Sequence, residues 1–91
     1  MSLDEHRVAF MAFIAGLLGD FDRYLASNDV DLLRDGAGYR LAGMWLDNGE
    51  FTELMQELTR VLQPRLANAP KPGRRRRILG TVLFPGERAA D

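Results

Sequence analysis

The stretch Tyr39-Arg40-Leu41-Ala42-Gly43-Met44-Trp45-Leu46-Asp47-Asn48-Gly49-Glu50-Phe51 contains the sharpest change of pattern in the chain. Up to Leu46 the residues alternate. Leu41 and Trp45 fall on one side of an extended backbone, and Ala42, Met44 and Leu46 on the other, which predicts a strand over 39–46 with two partly apolar faces. Asp47 then has the side chain of a helix N-cap, and Glu50 stands three residues later, the spacing of a capping box. Leu46 before the cap and Phe51 after it are placed for a hydrophobic staple. Phe51, Leu54, Met55, Leu58, Val61 and Leu62 continue as one apolar stripe, with Glu50, Glu53, Gln56, Glu57 and Arg60 on the wet side. The spacing predicts a helix over 47–63, ended by Pro64.

Toward the N-terminus, Phe10, Ile14, Leu17, Phe21 and Leu25 recur every three or four residues and predict a helix over 4–25. Val8, Met11, Ala15 and Leu18 form a second apolar row, so the oily arc is wider than covering one side of a core requires. Ala12, Ala15, Gly16 and Gly19 would let another backbone come close. This helix needs two partners, and a chain of 91 residues has little else to offer it. Phe10, Phe13, Ile14, Leu17 and Phe21 are therefore the expected dimer interface. Met1-Ser2-Leu3 reads as a vector-derived start on an excised fragment. Residues 26–38 carry turn formers and read as a loop.

Past the second helix the proline-rich 66–73 segment excludes regular structure. Alternation resumes over 75–84, a second expected strand with Ile78, Val82 and Phe84 on one face and Leu79 and Leu83 on the other, stopped by Pro85-Gly86; 87–91 reads as a frayed tail. The expected fold is thus α+β, helix-strand-helix-strand, one domain over 1–91. A two-stranded sheet would pack with two helices, and because two strands alone leave exposed edges, dimerisation would complete it.

Composition narrows the function. Twelve basic against thirteen acidic residues give a net charge of −1, without the positive excess that gripping nucleic acid by its backbone usually needs. No cysteine is present, which suits a reducing, cytoplasmic setting and removes thiolate metal sites. The longest apolar run, Val8 to Leu18, is too short to cross a bilayer, and no membrane role is expected. His6 is the only histidine and has no nucleophile–base–orienter set around it. Asp20 and Asp22 diverge on their helix, and Asp29, Asp31 and Asp35 lack the glycine and terminal glutamate of a calcium loop. No glycine cluster is followed by the lysine and hydroxyl of a phosphate loop. Neither an enzyme nor a cofactor is expected.

Two surfaces remain as candidates. Trp45, Met44, Phe51 and Phe84 could line an apolar pocket for an unidentified small effector. Arg74, Arg75, Arg76 and Arg77, preceded by Lys71, could contact phosphates through arginine forks, or could keep an edge strand solvated.

Taken together, Met44-Trp45-Leu46-Asp47-Asn48-Gly49-Glu50-Phe51, the leucines through Leu62, Pro72-Gly73-Arg74 and the segment ending Phe84-Pro85 resemble the C-terminal region of actinobacterial-type helix-turn-helix transcriptional regulators of the ArsR-like winged-helix group. Phe10, Phe13, Gly16, Leu17, Phe21 and Tyr24-Leu25 resemble the helix that follows the winged domain there. The resemblance implies a C-terminal domain for dimerisation or signal input, with DNA bound only through an N-terminal domain outside this chain. It carries over neither direct DNA reading, since no helix–turn–helix pair is present, nor metal response, since the cysteines of metal-sensing relatives are missing.

Overall fold

The structure is a computed structural model and describes residues 1–87. Three helices follow one another: α1 (Leu3–Leu25), α2 (Leu32–Asp35) and α3 (Asn48–Leu66). The chain divides into two compact units, Met1–Arg40 and Leu41–Asp91.

In the first unit, α1 starts at Ser2, whose hydroxyl accepts the Glu5 backbone N–H at 3.1 Å. Asp4 and Glu5 in the first turn and Arg23 in the last complement the helix dipole. Arg7 pairs with Asp4 at 2.8 Å, and Arg23 with Asp20. The Ser27 hydroxyl donates to the Tyr24 carbonyl at 2.6 Å where the helix ends. The turn-forming composition of 26–38 predicts a plain loop, but a single helical turn, α2, lies inside it. Asp31 caps α2 by accepting the Arg34 N–H, and Gly36 closes it with a φ of 69°, the left-handed conformation that glycine adopts without a Cβ clash.

In the second unit, the Asp47–Glu50 capping box is closed at both ends. Glu50 N–H donates to Asp47 Oδ1 at 2.8 Å, and Asp47 N–H to Glu50 Oε1 at 3.0 Å. The helix does not stop ahead of Pro64: it runs two residues further, to Leu66. A proline so near the C-terminal end removes one N–H, the donor to the Arg60 carbonyl, and little more, and the Arg65 guanidinium separately donates to the Val61 carbonyl at 2.7 Å. Beyond the helix, Lys71-Pro72-Gly73-Arg74 makes a turn. The Arg74 N–H reaches the Lys71 carbonyl at 3.0 Å, and Gly73 has a φ of 87°, as a turn with proline second and a positive-φ glycine third requires.

The expected α+β fold is overturned. Among the described residues there is no strand and no sheet, and the chain is mostly helical. Among the described residues no strand ladder forms over 39–46 or 75–84. Alternation says which side chains would share a face, but a strand exists only when another backbone supplies its hydrogen bonds. Two isolated segments provide too few pairs to offset the ordering entropy. Their apolar residues stand in solvent, with Leu41 97% and Trp45 88% exposed. The tail expected over 87–91 lies, beyond Glu87, outside the described residues.

No hydrophobic side chain among the described residues is fully buried. The accessible surface is 9,036 Å². Among the described residues no helix is long and apolar enough to cross a membrane.

Candidate association surface

The C-terminal half of α1 is the one place where the first unit closes on itself. Phe21 meets Tyr39 edge-on at a ring-centroid distance of 6.3 Å and lies 6.0 Å from Tyr24. The Tyr24 hydroxyl donates to Asp35 Oδ2 at 2.8 Å, tying α2 back to α1. Arg34 braces the same carboxylate at 3.1 Å while its other nitrogens reach the Asp29 carboxylate at 3.2 Å and carbonyl at 2.6 Å. The Arg34 hydrogen bond first, and the Tyr24 hydroxyl second, hold Asp35 down at a pKa of about 2. In return the guanidinium pKa is raised by Asp35 and Asp29. None of these four side chains carries a sequence motif. The signal that could have located the link is the cap pair around 32–35, Asp31 and Gly36.

Leu17 and Phe21, on this closed side, are half-buried. Further toward the N-terminus the same stripe is open: Phe10 is 48%, Phe13 41% and Ile14 39% exposed. Phe10 and Phe13 stack on each other, at 6.4 Å between centroids. The second row, Val8, Met11 and Leu18, is exposed as well. From Val8 through Gly19 there is no charged or hydrogen-bonding side chain, so about three turns of α1 are apolar around the whole circumference.

Trp45, Met44 and Phe84 are exposed, and so is Phe51. A shallow groove on α3 is lined by Phe51, Thr52, Met55, Gln56, Thr59 and Arg60. Phe51 is the one member of the expected pocket found there; Trp45, Met44 and Phe84 line other surface. Arg74 to Arg77 are exposed, and Arg74 spends one guanidinium nitrogen on the Ala69 carbonyl at 2.6 Å. Among the described residues no three histidine or acidic side chains gather to hold a metal.

Such a surface can exclude water against another apolar face. Compared with protein-family models, with curated proteins and with solved structures, the chain matches none of them.

Proposed function

We propose that this chain is an association domain, built to pair with a second copy through α1. In this reading it is the C-terminal dimerisation and regulatory part of a cytoplasmic bacterial transcriptional regulator whose DNA-binding helix-turn-helix lies upstream. The observation that carries the association is the open apolar surface of α1, where Phe10, Phe13 and Ile14 remain 48%, 41% and 39% exposed. A standard interface takes roughly 800 Å² from each partner, and obligate dimers take more. Open apolar residues on α1, Phe10, Phe13 and Ile14 first among them, are the natural place for it.

The regulatory role rests on the resemblance of 44–51 and its flanks to the regulators named above. Dimerisation would hold two upstream winged domains at a fixed half-site spacing. Sedimentation of the chain at tens of micromolar tests the association: a dimer is expected, and a strict monomer removes the proposal. Joining a winged helix-turn-helix domain upstream tests the second part. Operator affinity should then fall when Phe10 and Ile14 are changed to aspartate, and unchanged affinity argues against a regulatory role.

A further inference from the structure

We infer that the segment from Lys71 to Phe84 docks on the surface of an anionic lipid bilayer, with its cations at the headgroups and its apolar side chains below them. The inference goes beyond the association through α1 and does not depend on it. Charge is the first observation. Between Glu57 and Glu87 the chain has no acidic residue, while Arg60, Arg65, Lys71 and Arg74 to Arg77 are basic. The net charge of −1 for the whole chain thus conceals a strongly basic stretch, and asymmetry of this kind points to a charged partner. The turn gathers Lys71 with the four arginines. Its Arg74 N–H donates to the Lys71 carbonyl at 3.0 Å, which brings Lys71 back beside the run. The turn is open: nothing lies within 4 Å of where a Gly73 Cβ would stand. Arg74 also donates to the Ala69 carbonyl, a neutral acceptor that leaves its charge in place.

Open apolar surface is the second observation. Ile78, Leu79, Val82, Leu83 and Phe84 come directly after the arginines, and every residue from Lys71 to Phe84 is exposed, Leu79 and Phe84 at 71% each. Cations beside open apolar side chains are the two signals that together hold a protein at an anionic membrane, where either alone binds weakly. A nucleic acid offers phosphates but nothing to cover aliphatic side chains, and Phe84 is the one aromatic in the segment on which a base could stack. A second copy meeting the same segment would set basic run against basic run. The bilayer interface supplies both layers in the right order, anionic headgroups above acyl chains. Its water and headgroups also satisfy a backbone that forms no strand ladder, which the hydrocarbon core would reject. The contact is therefore with the surface, and among the described residues no helix is long and apolar enough to cross. The length of the Val8 to Leu18 run, which spoke against a membrane role, is a criterion for crossing and says nothing of surface binding.

The test floats the 91-residue chain with vesicles of phosphatidylcholine alone and of phosphatidylcholine mixed with phosphatidylglycerol, at physiological salt. Binding is expected to the mixed vesicles and not to the neutral ones. Each arginine removed should weaken partitioning about fivefold. Changing Arg74 to Arg77 to glutamine should therefore abolish flotation, whereas changing them to lysine should largely preserve it. Leu83→Ser with Phe84→Ser should lower binding about tenfold or more. All these positions lie outside the helices, so far-UV circular dichroism should be unaltered in each variant. In a chain with Trp45→Phe and Phe84→Trp, emission should shift to the blue when mixed vesicles are added. A chain that fails to float, or floats equally well with neutral vesicles, overturns the proposal. So does flotation that survives the glutamine changes, which would place the contact on α1. Flotation untouched by the serine changes and competed away by duplex DNA assigns the arginines to nucleic acid instead. Loss of binding in the lysine chain also overturns it, because a charged bilayer reads charge and not the arginine fork.

Discussion

Asp35 is the side chain with the most to lose on acidification. Its carboxylate is held at a pKa of about 2 by Arg34 and the Tyr24 hydroxyl, against an ordinary value near 3.8. A carboxyl whose folded pKa is depressed contributes stability that is complete above its unfolded pKa. That contribution is lost as pH falls from about 4 toward 2. The tyrosine near-UV dichroism should therefore weaken in that window, and Asp35→Asn should remove the pH dependence while leaving α1 helical. A signal unchanged between pH 5 and 2 would disprove the link. Trp45 permits a second check. At 88% exposure its emission should be red-shifted and readily quenched by iodide, and a blue-shifted, protected tryptophan would mean that a partner covers it.

At the scale of elements, the caps make different predictions from the apolar stripes. Asp47→Ala removes the oxygen that accepts the Glu50 N–H and should cost α3 about 1 kcal/mol, read as lost helicity in denaturant titration. Pro64→Ala restores one N–H inside the same helix. It should raise the helix content, by less than the ~3 kcal/mol that a mid-helix proline costs, because only the last turn benefits. The N-terminal caps of the long helices were legible, or nearly so. Asp47 with Glu50 is a local signature, and Ser2 acts over three residues by accepting the Glu5 N–H. The short α2 was not legible, because four residues between turn formers carry no periodicity. Nor was the extension of α3 past Pro64, because a proline in the last turn costs only the one bond to the Arg60 carbonyl.

For the whole molecule the relevant quantity is uncovered apolar surface. Phe10, Ile14 and Leu18 on α1, with Leu41 and Trp45 after it, stay in water, and burying an apolar side chain of this size is worth roughly 1.5–3 kcal/mol. Changing Phe10 and Ile14 together to aspartate should shift the chain to monomer in sedimentation velocity and raise its solubility. A persistent dimer would relocate the interface away from this stripe. The weakly basic second unit should contribute no sequence-independent DNA affinity of consequence. Changing Arg74 to Arg77 to glutamine should therefore leave retention on heparin or DNA at physiological salt essentially unaltered, and a large salt-dependent loss would favour a phosphate-binding role.

Helix position is a property of neighbours within a few residues: periodic apolar side chains, a capping oxygen three residues from its N–H, acids at one end and a base at the other. All of that is written along the chain, which is why the stripes of 4–25 and 47–63 coincide closely with α1 and α3. Strand pairing and burial are different in kind. Each depends on a second backbone or surface arriving from a distance, at an entropic cost that alternation cannot reveal. Residues 39–46 and 75–84 alternate like strands, yet no strand forms there among the described residues. The open stripe of α1 could be foreseen as too wide for its own chain. Which part of it the protomer covers, the end at Phe21 and Tyr24, was decided only by the Tyr24–Asp35 hydrogen bond and the Phe21–Tyr39 ring contact, made across a turn whose geometry no periodicity encodes.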